Sequence, residues 1–178
     1  IAEGFRSQVR GAQVAQRNAQ DGVSLVQTAE GALSETTNIL QRVRELAVQA
    51  ANGTQSTNNR TALNTEVQQL LAQIDDIALD TEFNGLHVLS ASQTVTLQAG
   101  PNPSQTLTVA VQGAKTSDLK VSPVAVSSVA LAVSAISTVD MALQSVSSLR
   151  STLGAFQNRL EFTINTLAIQ EENAAASE

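Results

Sequence analysis

The strongest constraint in this chain is a helical repeat that runs from about residue 5 to residue 51 without a proline. Three apolar series at seven-residue spacing lie side by side in it. They are Val26, Leu33, Leu40 and Ala47; Leu25, Ala32, Ile39 and Leu46; and Gly22, Ala29, Thr36, Val43 and Ala50. Adjoining series of this kind make one wide apolar stripe, the pattern of a core-facing bundle helix. Before Gly22, Ala12, Ala15 and Ala19 replace Leu and Val, and small residues let a neighbouring helix come close. At ~1.5 Å per residue the helix would span roughly 70 Å. A helix that long does not fit a compact globule of 178 residues and predicts a rod.

The rest of the chain supplies partners for this helix. Asn52-Gly53 closes it, since glycine accepts the backbone turn that ends a helix. A second helix is expected over 57–79, with Leu63, Val67, Leu70, Ile74 and Ile77 in 4-3-4-3 spacing. Ser56, Thr57 and Asn59 are all N-cap candidates, and the sequence does not choose among them. From Asn84-Gly85 the period changes. Thr94–Gln98 and Thr106–Val111 alternate around a Gly-Pro-Asn-Pro loop and predict a hairpin within 84–112, with a short third strand at 86–89. Residues 113–125 read as a connector. A third helix is expected over 126–175, carried by the heptad Val139, Val146, Leu153, Leu160 and Leu167. Gly154, the only glycine inside it, is expected to mark a close helix contact. The first and third helices match in length, which places Ile1 and Glu178 at one end. The fold class is therefore mainly α, an elongated antiparallel three-helix rod with a small β-hairpin region.

Composition narrows the function. With no Trp, no Tyr, four Phe and one Met, aliphatic side chains must fill the core. The net charge of −6 disfavours nucleic acid and anionic membranes as partners. The absence of Cys removes disulfides, thiolate metal sites and cysteine catalysis. No apolar run approaches the ~20 residues of a membrane span, so no membrane insertion is expected. His87 is the one histidine, without a metal-ligand partner in spacing. Asp75-Asp76 and Glu171-Glu172 are adjacent carboxylates that point about 100° apart on a helix, poorly placed for acid–base work. Catalytic, cofactor and metal residues are all expected to be absent, and the chain is not read as an enzyme. Ile1-Ala2-Glu3-Gly4-Phe5 enters a helix without a start Met, and Glu178 leaves one without a stop. Both ends read as those of a fragment.

Four stretches then carry a resemblance. They are Asn18–Leu33, Gln41-Arg42-Val43-Arg44-Glu45-Leu46-Ala47-Val48-Gln49-Ala50-Ala51-Asn52-Gly53-Thr54, Phe83-Asn84-Gly85-Leu86, and Leu153-Gly154-Ala155-Phe156-Gln157-Asn158-Arg159-Leu160. In this order, over nearly the whole chain, they resemble bacterial flagellin. The resemblance implies its inner rod domain over 1–178, without the terminal polymerisation helices or large outer domains. It implies a structural filament subunit serving motility, secreted through the flagellar export machinery with a chaperone, and extracellular in the flagellum. Its partners would be other flagellin subunits and the innate immune receptor Toll-like receptor 5, and this fragment alone would be monomeric. A flagellin-like cell-surface binding protein and a hook–filament junction protein are the alternatives.

Helical geometry divides the second of these stretches. With Arg42 at zero and about 100° per residue, Leu40, Val43, Ala47 and Ala50 fall between about 80° and 160°, facing a core. Arg42, Leu46 and Gln49 fall between about −20° and 40°, on a separate strip with Leu46 at its edge. Glu66 of the second helix flanks its own stripe and can share that surface. The resemblance assigns receptor and subunit contact to Arg42, Leu46 and Glu66, with Gln41 and Gln49 as lesser contacts.

Overall fold

A computed structural model describes residues 2–177, in the order α1 (Ala2–Ala51), α2 (Thr57–Asp80), β1 (Glu82–Phe83), β2 (Leu86–His87), β3 (Gln93–Gln98), β4 (Thr106–Val111) and α3 (Val129–Ser177). The chain makes two compact units. One comprises residues 1–27, 94–111 and 151–178, and the other 28–93 and 112–150. The expected meeting of Ile1 with Glu178 lies outside the described residues.

In the first unit the small residues of α1 do what their size allows. Ala12 and Ala15 are buried with Leu167 of α3. Gln13 donates to Glu171 Oε1 at 2.6 Å and Gly22 lies against Leu160, so the two helices run antiparallel here. The hairpin β3–β4 packs on them. Its strands alternate exposed and covered residues, and Val109 and Val111 are buried. Thr96 and Thr108 face each other through their hydroxyls at 3.2 Å, and Ala99 N–H donates to Gln105 O at 2.8 Å, which sets an antiparallel register. Asn18 of α1 donates to Gln98 O at 3.0 Å and ties the hairpin end to the helix. At Gly22 a strand and both helices pack closely. A Cβ there would collide with Leu97 Cδ1 and lie 3.0 Å from Leu160 Cδ1.

In the second unit α1 has two partners. Leu33, Leu40, Val43, Ala47 and Ala50 of α1 are fully buried, as are Val67 and Ile74 of α2 and Val139, Ala142 and Val146 of α3. Thr36 is buried among them, and its hydroxyl is satisfied by donating to Ala32 O in the preceding turn. The buried line of α2 is Val67, Leu71, Ile74 and Ala78, one position on from the expected Leu70 and Ile77, which are half-buried. Ser56 is the N-cap of α2, its hydroxyl accepting from Asn59 N–H at 3.2 Å. The C-terminus of α1 has no basic residue in its last turn. Arg60 of α2 supplies the missing cap, donating to Ala50 O at 2.8 Å and Asn52 O at 3.0 Å.

Three expectations change. Residues 86–89 do not extend the long hairpin. Leu86–His87 pairs with Glu82–Phe83 instead, through Glu82↔His87 and Phe83↔Leu86, because Asn84 and Gly85 both take positive φ (50° and 80°) and close a tight turn. Gly154 marks no close contact. It is exposed, and a methyl group in place of its hydrogen would meet nothing within 4 Å. The heptad that surrounds it buries Leu153 and turns Gly154 outward. Finally, α3 contains an 18-residue window long and apolar enough, by length and composition, to cross a membrane. Interspersed Ser and Thr break it into short apolar runs, and Asp140 within this helix is ion-paired to Arg44 of α1.

Replacing Gly22 with Val forces a branched side chain between Leu97 and Leu160. The expected loss is about 1–3 kcal/mol of stability, measured by urea denaturation. Gly154→Ala, at an open helical position, is expected to raise stability by about 1 kcal/mol in the same assay.

Candidate functional site

The stretch around Arg42 is organised by its two neighbours. On one side the Arg42 guanidinium donates to Glu66 Oε1 of α2 from Nε (3.1 Å) and Nη2 (2.9 Å), and to Glu45 Oε2 from Nη1 (3.1 Å). On the other side Arg44 donates to Asp140 of α3 from Nε to Oδ1 (2.6 Å) and from Nη2 to Oδ2 (3.4 Å). Two turns or more down, Arg150 of α3 donates to Glu30 of α1 at 2.7 Å. Pairs 44–140 and 30–150 fix α1 and α3 as antiparallel in this unit.

All these charges are substantially exposed, from 36% at Glu30 to 68% at Glu45, so each pair contributes little to stability by itself. Their use is orientation. The Arg42 and Arg44 guanidinium groups are held charged above their ordinary range, Arg42 by hydrogen bonds to Glu45 and then Glu66, Arg44 by its hydrogen bond to Asp140. The Asp140 carboxyl is held below its ordinary value by the Arg44 hydrogen bond.

The five expected contact residues separate on inspection. Arg42 and Glu66 are brought together directly, with side chains 50% and 45% exposed, and they form one charged surface spanning α1 and α2. Gln41 and Gln49 are exposed on α1 near them. Leu46 is not on the surface. It is 1% exposed and belongs to the core. The cause is the second partner. Arg42, at zero, reaches α2, while Arg44, about 200° round, reaches α3. The arc between them is therefore covered from both sides, and Leu46 at about 40° lies inside it. The core half, Leu40, Val43, Ala47 and Ala50, is fully buried as expected.

Other residues of this unit were not singled out in the sequence. Asp75, weighed only as a neighbour of Asp76, accepts Thr116 N–H at 2.8 Å and Thr116 Oγ1 at 3.0 and 2.9 Å. Asn64 accepts Val126 N–H at 2.9 Å, and Gln68 donates to Val124 O at 2.9 Å. Each is a side chain holding the backbone of a distant loop, which leaves no periodic trace in a sequence. His87 is exposed in β2, and its Nδ1–H donates to Leu79 O at 2.7 Å. Among the described residues, no group of three His, Cys, Asp or Glu is placed to hold a metal ion.

The comparisons with known proteins decide the family. Residues 1–94 match the bacterial flagellin N-terminal helical region, and residues 136–178 match the bacterial flagellin C-terminal helical region. The chain belongs to the bacterial flagellin family. It is 44% identical over 181 residues to a flagellin of Halalkalibacterium halodurans, covering all of this chain and 66% of that one. It is 40% identical over 197 residues to the flagellar filament 31.3 kDa core protein of Treponema maltophilum, covering all of this chain and 68% of that one. The chain thus spans about two thirds of the length of these two relatives. The crystal structure of Bacillus cereus flagellin superposes with a TM-score of 0.73 at 34% identity, over 92% of this chain and 95% of that one. The mainly α architecture, three helices with small antiparallel strand pairs, is the flagellin fold.

The Asp140 shift has a defined pH dependence. A carboxyl held below its ordinary value contributes stability above that value and loses it as pH falls through the lowered one. Asp140→Asn is therefore expected to lower the melting temperature slightly near pH 7. The difference from wild type should shrink as the pH is taken below about 4, read by circular dichroism melts across an acid series.

Proposed function

We propose that this flagellin is a structural subunit of the bacterial flagellar filament, packing against other flagellin subunits. It is exported with a chaperone through the flagellar export machinery and works outside the cell, in the flagellum, in motility. The observation that carries this reading is the double family match, with the N-terminal region covering α1 through the start of β3 and the C-terminal region covering most of α3. Surface chemistry agrees. Val14, Val48, Leu131, Val133, Met141, Phe162 and Ile169 are large apolar side chains left 45% exposed or more. Apolar helix surface of this kind suits packing against copies of the same chain. The test is a chimera in which this chain replaces the corresponding stretch of the Halalkalibacterium halodurans flagellin, expressed in a strain lacking its own. Filaments seen by electron microscopy and restored swimming are the expected outcome. Secreted chimera that never polymerises would overturn the proposal.

A second reading concerns recognition. We infer that the surface made by Arg42 and Glu66, with Gln41 and Gln49 beside it, is a contact for Toll-like receptor 5. Its support is the flagellin signature at 41–54 together with an exposed guanidinium already oriented by two carboxylates. An oriented arginine loses little freedom when a partner binds, as in a binding hot spot. Leu46 enters only through the core. Arg42→Ala should weaken receptor binding about tenfold or more, within the usual range of a hot-spot truncation, at unchanged melting temperature. Leu46→Ala should first cost about 2–5 kcal/mol of stability. Unchanged affinity in folded Arg42→Ala, measured by surface plasmon resonance, would sink this reading.

A further inference from the structure

The sequence holds the dipeptide Asn-Gly twice, at 52–53 and at 84–85, and the fold treats the two differently. Asn52-Gly53 sits in the turn after α1. Its side-chain Oδ1 accepts Thr54 N–H at 3.1 Å, and its main-chain carbonyl is held by Arg60 Nη2 at 3.0 Å. Side chain and backbone are both occupied. Asn84-Gly85 forms the tip of the β1–β2 hairpin, with both residues exposed and both at positive φ. Two residue pairs form the ribbon, with Val88 N–H donating to Thr81 O at its base, so the tip is the end of a short ribbon anchored from below. The Gly85 N–H donates to the Glu82 carboxylate, Oε1, at 3.0 Å. A Cβ at Gly85 or at Gly53 would meet nothing within 4 Å beyond its chain neighbours, and all four residues are exposed, so the two sites differ in their hydrogen bonds and backbone angles, not in crowding.

We propose that Asn84-Gly85 is a site of spontaneous covalent modification, in which Asn84 loses its amide and Glu82 serves as the local base. Asparagine is among the thermolabile side chains, and the nitrogen that must attack it here already has a carboxylate on its hydrogen. The Gly85 backbone nitrogen forms a bond to Asn84 Cγ while its proton passes to Glu82. The Cγ–Nδ2 bond breaks, and ammonia leaves with that proton, giving a five-membered imide between residues 84 and 85. Water then adds to one of the two ring carbonyls and breaks one carbon–nitrogen bond. One product carries Asp at 84, and the other carries the chain through the side-chain carboxyl as isoaspartate. The net change is water in and ammonia out, with no oxidant or reductant.

Either product alters the hairpin. A new carboxylate appears two residues from Glu82. The isoaspartyl product also adds a methylene to the backbone between Phe83 and Leu86, the innermost pair. Conversion therefore accumulates with the time the chain has been folded, in a hairpin whose strand β2 carries the His87 bond to Leu79 at the end of α2.

The test uses the whole chain, incubated for weeks at neutral pH and body temperature and mapped by peptide mass spectrometry. Isoaspartyl methyltransferase labelling identifies the second product. In the folded protein, conversion at Asn84 is expected to run several-fold faster than at Asn52. Glu82→Gln, with folding checked by circular dichroism, should slow Asn84 several-fold and leave Asn52 unchanged. In urea the two sites should convert at similar rates. Conversion at Asn52 as fast as at Asn84 in the folded protein would overturn the proposal. An unchanged Asn84 rate in Glu82→Gln, or a preference for Asn84 that persists in urea, would overturn the role given to the folded geometry.

Discussion

The packing of α1 between α2 and α3 in the second unit is the constraint from which the candidate surface follows. Helix α1 cannot choose one face to bury, because partners approach it from two directions. Arg42 and Arg44 mark those directions, one bonded to Glu66 and the other to Asp140. Between them on the helix lie the buried Leu46, Ala50, Val43, Ala47 and Leu40. The charges left outside are then oriented by the same packing that buries the aliphatic side chains. The exposed Arg42–Glu66 pair is a by-product of helix pairing before it is anything else. That is why it can serve as a rigid contact without a dedicated scaffold.

What could be read from the sequence follows from how each feature is encoded. Periodic features were legible. The seven-residue series gave α1 and α3, and alternation gave the β3–β4 hairpin, because burial repeats with the geometry of the element. Asn84-Gly85 announced its turn because few residues adopt two successive positive φ values. Gly154 misled for the opposite reason. A glycine can be tolerated on an open helix face without any contact requiring it, and Gly22, whose contacts do require it, looks the same in the sequence. Leu46 misled because one helix's angular plot contains no information on how many partners that helix has. Arg60 was invisible as a cap, since its acceptors lie eight and ten residues back across a turn.

The segment between β4 and α3 extends this point. By composition it is a connector, with Gly113, Pro123 and several Ser and Thr. In the structure it is part of the core. Ala114, Leu119, Val121, Val124 and Val126 are buried, and Thr116 with them. A buried loop must find partners for its backbone polar groups, since no helix or strand supplies them. Turns within the segment pair several of them, among them Val121 N–H to Thr116 O and Val124 N–H to Val121 O, and α2 supplies three more. Asp75 takes the Thr116 N–H, Gln68 donates to Val124 O, and Asn64 takes the Val126 N–H. These three side chains lie at intervals of four and seven along α2, so they share one face of it.

That arrangement gives α2 a second purpose. Its apolar line, Val67, Leu71, Ile74 and Ala78, contributes to the helix core, while the polar line of Asn64, Gln68 and Asp75 fastens an irregular segment. The two lines are interleaved, so α2 cannot shift along its axis to improve one without breaking the other. Its register is in turn set at its first turns, where Ser56 caps its start and Arg60 grips the end of α1. Glu66 is carried on the same helix between these fixed points. The position of Glu66 opposite Arg42 is thus determined from three sides, by the cap, the core and the loop, and not by the ion pair itself. An exposed ion pair of this kind is weak enough that the reverse order of cause would fail.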